Sequence, residues 1–241
     1  MSWYEKLPIQ FDIEKLRKEF LENVLTLGEP IIQGAEYGSK FGGWSVLSSD
    51  GSWKNGMTGG QAAFEDGKIN YETAYKLGIN HEFNFGVKTE ICTNYINEVI
   101  DTISEMGLHP KRARFTVLKA GGESTIHKDT LKTEHYAVRI HIPIVTNEKC
   151  VHILYDNDKN ELDRIHMPAD GSAYILKVNE YHQIKNESSH DRYHLLMNAW
   201  DTAGITKNFR FDKIKKLKME ANIFQSYLDI ASKPRKIWSK N

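Results

Sequence analysis

His127-Lys128-Asp129 is the segment of this chain best suited to bind a metal. In an extended or turning segment the two outer side chains converge from one side, where a neutral imidazole and a carboxylate offer nitrogen and oxygen donors to a divalent ion. One further histidine would complete a facial triad with open coordination positions, the donor set of non-haem Fe(II). The stretch VNEYHQIKNESSHDRYHLLMNAWD offers three: His182 in a short extended run, His190 in a polar turn and His194 in the strand after it. Taken alone, the His-x-Asp pair reads equally well as a surface turn capped by Asp129.

A second cluster of reactive groups lies on the strand predicted over 136–145. Its period of two puts Tyr136, Val138, Ile140, Ile142 and Ile144 on one face, which would pack in a core. Ala137, Arg139, His141 and Pro143 fall on the other. Two potential cations on so apolar a strand are expensive unless they are exposed or meet an anion. An arginine favours a carboxylate or phosphate, because its planar fork donates parallel hydrogen bonds. Arg192 follows His182 by ten residues and opens a strand whose alternate positions are His194, Leu196, Asn198 and Trp200. It is a second arginine able to meet an anion.

The elements that must position these groups follow from periodicity. Residues 12–26 place Ile13, Leu16, Phe20 and Val24 at helical spacing behind Asp12 as N-cap, which predicts an amphipathic helix supporting a sheet. The Gly- and Ser-rich stretch 34–60 predicts turns and loops between short strands. Its Trp44 and Trp53 either pin that excursion or reach the substrate. A second helix is predicted over 91–107 from Ile91, Tyr95, Val99, Ile103 and Met106, with Gly107 at its exit. Strand-like runs follow at 113–119, 136–145, 151–156, 163–167, 172–178, 181–186 and 191–200, and helical spacing returns over 211–231. The basic run KIKKLK in that last segment reads as a solvated helix face. The expected fold is mainly β with flanking helices, an antiparallel sandwich or barrel in one domain over 1–241. It divides into a helical and loop-rich support (1–110), a β core (111–201) and a helical extension (202–241).

Composition narrows the function classes. Lys+Arg and Asp+Glu both total 32 in 241 residues, so no net charge draws the chain to phosphate backbones and nucleic acid is disfavoured as a partner. With 40% hydrophobic and 11% aromatic residues it is a folded chain, and no apolar run is long enough for a membrane span. The N-terminal MSWYEKLPIQFDIEKLRKEF breaks up the apolar stretch a signal peptide requires, so a cytoplasmic location is expected. Two cysteines, Cys92 and Cys150, without a CxxC pair give neither a disulfide framework nor a zinc-thiolate site.

Residues 113–201 resemble the catalytic core of the aspartyl/asparaginyl β-hydroxylase family, Fe(II)- and 2-oxoglutarate-dependent dioxygenases built on a cupin-type double-stranded β-helix (jelly roll). ARFTVLKAGGESTIHKD is similar to the family's strand, glycine turn and first metal histidine, with a hydroxyl residue eleven positions earlier. VRIHIPI resembles its Arg-x-His strand, and His182 followed ten residues later by Arg192 resembles its second metal histidine and main cosubstrate arginine. The resemblance implies His127, Asp129 and His182 as iron ligands. It implies Arg192 and Thr116 at the distal carboxylate of 2-oxoglutarate, with Arg139 and His141 assisting at the cosubstrate or lining the site beside it. O₂ is the co-reactant, and the reaction implied is hydroxylation of an aliphatic C–H with release of succinate and CO₂.

The animal enzyme that names the family lacks a carboxylate ligand beside its first histidine, whereas this chain has Asp129. Bacterial proline 3-hydroxylase-like members carry His-x-Asp and Arg-x-His-x-Pro as here. That moves the expected substrate toward an amino acid, free or within a peptide. The rival readings are a non-catalytic cupin-type module binding a small anion through Arg139 and Arg192, and an oxygenase acting on a nucleobase or nucleic acid. His109, His135, His152, His166, His190 and His194 are left as structural or exposed, although His135 and Tyr136 lie close enough in sequence to line a pocket.

Overall fold

Polar and apolar residues alternate along the later strands, and that alternation sets the architecture of the computed structural model. It describes residues 3–32, 40–55, 63–65, 68–70, 85–129, 137–176, 178 and 180–201. The helix expected over 211–231, His135 and Tyr136 lie outside these residues.

Strand β1 (Tyr4–Gln10) leads into helix α1 (Ile13–Glu19), which runs on through a π turn (Phe20–Val24) and a 3-10 turn (Leu25–Leu27). The Asp12 side chain caps α1 by accepting from the Lys15 amide at 3.1 Å. Short strands follow: β2 (Ile31–Ile32), β3 (Phe41–Ser45), β4 (Leu47–Ser48), β5 (Ala63–Glu65), β6 (Lys68–Asn70) and β7 (Val87–Lys88). Helix α2 (Asn94–Glu105) precedes the long run of strands β8 (Leu108–Leu118), β9 (Ala137–Val145), β10 (Cys150–Tyr155), β11 (Glu161–His166), β12 (Ser172–Leu176), β13 (His182–Asn186) and β14 (Arg192–Asp201). No helix among the described residues is long and apolar enough to cross a membrane.

Seven strands form one sheet in the order β1-β12-β9-β14-β8-β3-β2, and three form another in the order β11-β10-β13. The extended segment 123–127 joins the smaller sheet beside β13 through the bridges Glu123↔Lys185 and His127↔His182. From β8 onward the chain therefore goes from the large sheet to the small one, back to the large at β9, across to β10 and β11, back at β12, across at β13 and back at β14. This winding is a double-stranded β-helix. The N-terminal part, expected as helices and loops, also supplies β1, β2 and β3 to the large sheet.

The hydrophobic core lies behind the large sheet. Val138, Ile140, Ile142 and Ile144 of β9, Phe115 and Val117 of β8, and Leu195 and Met197 of β14 pack there against Leu16, Phe20 and Val24 and against Ile96, Val99 and Ile103 of α2. Burying this helix-facing side stabilises each large aliphatic group by about 1.5–3 kcal/mol. The opposite side of the same strands faces the small sheet and carries Arg114, Thr116, Arg139, His141, Arg192, His194 and Asn198. A bulge shapes β8: Leu196 pairs with Arg114 and Asn198 with Lys111, which leaves one extra residue on β8. Arg112 takes it up at φ 49°, and its amide bonds the Phe85 carbonyl at 2.7 Å.

Glu19, at the end of α1, caps a different helix. The α2 N-cap, Thr93, makes no side-chain bond to its own helix; its hydroxyl donates to Glu19 Oε2 at 2.8 Å. Glu19 accepts the amides of Tyr95 (2.7 Å) and Ile96 (3.2 Å), placing a carboxylate on the positive end of α2. Glu19→Ala is expected to cost about 1–2 kcal/mol, the loss of a good cap, read as a lower urea midpoint at unchanged slope.

Candidate active site

His127 and His182 are held together by their own backbones. The His127 amide donates to the His182 carbonyl at 3.1 Å, and the reverse bond is 2.9 Å. This bridge sets the imidazole centroids 4.4 Å apart. Two residues on, the Asp129 amide donates to the Val178 carbonyl at 2.9 Å, which turns the carboxylate back toward the rings. One potential ligand atom from each of His127, Asp129 and His182 lies within 4.8 Å of the other two.

The second ring nitrogens fix which atoms are available. Nδ1 of His127 stands 2.8 Å from the Thr125 carbonyl, and Nδ1 of His182 stands 2.9 Å from the Glu180 carbonyl. A carbonyl only accepts, so both Nδ1 atoms carry the proton and both Nε2 atoms present lone pairs. His127 Nε2 lies 3.6 Å from Asp129 Oδ1. Burial pushes the His182 imidazole down to about 4 despite the neighbouring carboxylate, so it is neutral, as a ligand must be. Burial pushes Asp129 up, but Arg139, His182 and His127 outweigh it and hold the carboxyl below its usual range. Two imidazoles and an ionised carboxylate fit Fe(II) or a similar divalent ion.

Deeper between the sheets lies a basic cluster. Arg192 keeps 2% of its surface exposed, and its Nη2 approaches His194 Nδ1 at 2.7 Å and His152 Nε2 at 3.4 Å. The guanidinium can only donate, so both imidazoles accept and are neutral. Burial first, and then the charge of Arg192, drive His141, His152 and His194 well below the ordinary histidine range. Burial also lowers Arg192 itself to about 9. His194 must then carry its proton on Nε2, and among the described residues neither that buried nitrogen nor Nδ1 of His141 has a hydrogen-bond partner. Thr116 stands beside this cluster, its hydroxyl donating to the His194 carbonyl at 3.2 Å. A buried guanidinium with an unused imidazole N–H beside it is suited to a carboxylate.

A cleft of about 460 Å³, its open mouth included, joins the two groups; His127, Arg139 and His182 line it together with His141 and His152, and Leu176, Ile184 and Leu196 supply apolar wall. Of the seven residues named from the sequence, His127, Arg139, His141 and His182 line the cleft, and Asp129, Thr116 and Arg192 stand beside them through Arg139 and His194. At three places the structure adds to the sequence reading. His152 and His194, left as structural or exposed, are buried against Arg192. The signal was present: Val151, Ile153 and Tyr155 share one face of β10, so His152 takes the other. Trp44 and Trp53 are core residues rather than substrate aromatics: both are buried in the cluster behind the large sheet, and the Trp44 indole donates to the Gly28 carbonyl at 3.0 Å. Arg139 stands against Asp129, with Nη2 2.8 Å from Oδ2. The rival ligands fall away on position, since His190 sits in an exposed turn against Ser189 and His194 is taken up by Arg192.

A comparison with solved structures finds distant likenesses. One is a prolyl-4-hydroxylase from Pseudomonas putida, 10% identical over 83% of this chain and 93% of that one, with a TM-score of 0.41. A second is an oxidoreductase of the 2OG-Fe(II) oxygenase family from Burkholderia pseudomallei, 11% identical over 83% and 86%, TM-score 0.44. A third is a prolyl hydroxylase from Trichoplax adhaerens in complex with a hypoxia inducible factor oxygen degradation domain peptide fragment, 14% identical over 83% and 84%, TM-score 0.46. No curated protein matches the chain. The family model of the Aspartyl/Asparaginyl beta-hydroxylase matches residues 78–202. That match takes in more than half of the sequence and the whole stretch from Thr116 to Arg192, so the chain belongs to the aspartyl/asparaginyl β-hydroxylase family and is a 2-oxoglutarate-dependent non-haem iron dioxygenase.

Proposed function

We propose that this protein hydroxylates an aliphatic C–H of an amino acid, free or within a peptide, using Fe(II) held by His127, Asp129 and His182 and 2-oxoglutarate anchored at Arg192. The observation that carries the reading is the pair of Nε2 lone pairs facing Asp129, each set by an Nδ1–H bond to a backbone carbonyl. Iron with dioxygen and 2-oxoglutarate supplies the oxidation: C–H becomes C–OH with one oxygen atom, and the other leaves in succinate as CO₂ is released.

The protein's part is binding and exclusion of water. Arg192, with Thr116 and the Nε2–H of His194, receives the distal carboxylate of the cosubstrate at the closed end of the cleft. Leu196 and Ile184 keep water from the carbon chain between the two ends. His141 is buried, its Nδ1 without a hydrogen-bond partner among the described residues, and a polar part of the cosubstrate would meet it. His127 lines the cleft that joins the two ends, and substrate would meet the metal on its side. The test is succinate formation under Fe(II), screened over free amino acids and short peptides, with product masses measured. The expected result is one substrate that gains a single oxygen in step with succinate. Binding of 2-oxoglutarate with no succinate under any substrate would instead indicate an anion-binding module.

A further inference from the structure

We propose that Arg139 is a positioning residue for the carboxylate ligand: it acts through Asp129 and does not contact the cosubstrate. The inference rests on the metal reading of His127, Asp129 and His182. The two oxygens of Asp129 face different neighbours. Oδ1 is the one 3.6 Å from His127 Nε2. Oδ2 is the one 2.8 Å from Arg139 Nη2. Among the described residues Oδ2 accepts no hydrogen bond, so the pair is held as an ion pair, by charge.

Position on the sheet sets Arg139 apart from Arg192, the anchor proposed for the distal carboxylate. Arg139 pairs across β14 with Asn198, whereas His141 pairs with Leu196 and Pro143 with His194, the partner of Arg192. Arg139 is thus four residues along β9 from the row that holds Arg192's partner, about 13 Å of strand. It sits at the metal end. Both partners are about one-fifth exposed, 17% for the Arg139 side chain and 21% for Asp129. In that setting a carboxylate left alone can rotate and offer either oxygen or both. A guanidinium fixed to Oδ2 leaves Oδ1 as the single donor, which keeps a coordination position open for the reaction.

The test is anaerobic Mn(II) titration, followed by electron paramagnetic resonance, of the wild-type protein and of Arg139→Gln, Arg139→Lys, Asp129→Ala and the Asp129→Ala/Arg139→Gln double variant. 2-Oxoglutarate binding to each Mn(II)-saturated protein is measured in parallel. Arg139→Gln is expected to weaken Mn(II) about 10–100-fold, the usual consequence of losing a group that orients a ligand. Arg139→Lys should recover most of the loss, since it restores the charge. On the Asp129→Ala background the Gln substitution should have no further effect, because the carboxylate through which Arg139 acts is gone. Cosubstrate affinity at saturating metal should be unchanged by either single Arg139 substitution. Unchanged Mn(II) affinity with weakened 2-oxoglutarate binding in Arg139→Gln would overturn the proposal, as would an equal loss of Mn(II) on both backgrounds. The failure of the underlying metal reading looks different: wild type would then bind Mn(II) no better than His127→Ala. Arg139→Lys keeps a cation in place and serves as the folded comparison if the Gln variant is unstable.

Discussion

His182→Ala is expected to abolish specific divalent-metal binding and turnover while leaving the fold in place. His182 contributes two separable things. Its backbone forms the reciprocal bridge to His127, at 2.9 and 3.1 Å, and alanine retains both the amide and the carbonyl that make it. Its imidazole supplies a lone pair at Nε2, and alanine removes that entirely. Losing an outer-shell partner of a ligand typically costs about 10–100-fold in metal affinity, and losing the ligand itself must cost more. Against this, the fold loses one hydrogen bond to the Glu180 carbonyl, a net of about 1 kcal/mol. Metal content after anaerobic loading should fall to the level of an unspecific surface ion. The circular dichroism spectrum should be unchanged and the melting temperature only slightly lower. A variant that still holds one equivalent of iron would remove His182 from the ligand set.

Arg192→Met is expected to separate affinity from stability in the opposite sense to an ordinary core substitution. With cosubstrate bound, the guanidinium and a carboxylate form a buried charge pair. Truncating one member of such a pair costs about 2–5 kcal/mol, or roughly a 30- to 5,000-fold loss of 2-oxoglutarate affinity. In the free protein the same guanidinium is buried against two imidazoles, and burial already lowers it to about 9. Replacing a whole buried ion pair with apolar groups of similar volume is often neutral or stabilising, by about 1–4 kcal/mol, and removing a buried charge that has no counter-ion acts in the same direction. Here His194 Nδ1 and His152 Nε2 lose a donor, which offsets part of that gain. The ligand-free variant should therefore melt near the wild-type temperature while 2-oxoglutarate binding, followed by calorimetry on Mn(II)-loaded protein, collapses. Retained cosubstrate affinity would sink the assignment of Arg192.

Much of this arrangement could be read from periodicity and spacing. The two faces of β9 follow from strict alternation, because one face is packed against helices and the other faces a cleft, so the pattern is enforced at every residue. Asp12 as a cap and Leu16, Phe20 and Val24 as a buried stripe were legible for the same reason: the interactions are local. Contacts across long sequence separations were not. Strand β1 is stabilised by pairing with β12, Tyr4 opposite Leu176, and nothing within YEKLPIQ announces a strand. The start of α2 was placed at residue 91 because its cap comes from Glu19, on another helix. Trp44 and Trp53 looked like loop aromatics because their Gly- and Ser-rich neighbours are loop-like, whereas their burial is decided by the helices that cover the sheet. The 2.8 Å approach of Arg139 to Asp129, ten positions earlier on a different segment, could not be read from sequence, where the resemblance placed Arg139 at the cosubstrate or lining the site beside it.

The reciprocal bridge between His127 and His182 also governs how long a metal would remain. Each ligand's main chain is bonded to the other's, and each ring is tied by Nδ1 to a carbonyl of its own segment, so the two imidazoles stay together while those bonds stand. Residence of iron in the proposed site is then tied to a local opening of the seam between residues 123–127 and β13, and the lifetime of the holoenzyme is set by how often that seam parts. A seam of two bridges, Glu123↔Lys185 and His127↔His182, is short. The Ser124 hydroxyl, which accepts the Ile184 amide at 3.1 Å, and the Gln183 side-chain amide, which donates to the Ser124 carbonyl at 2.6 Å, act as stitches between those bridges. Residues that never approach the metal thereby share control of its escape.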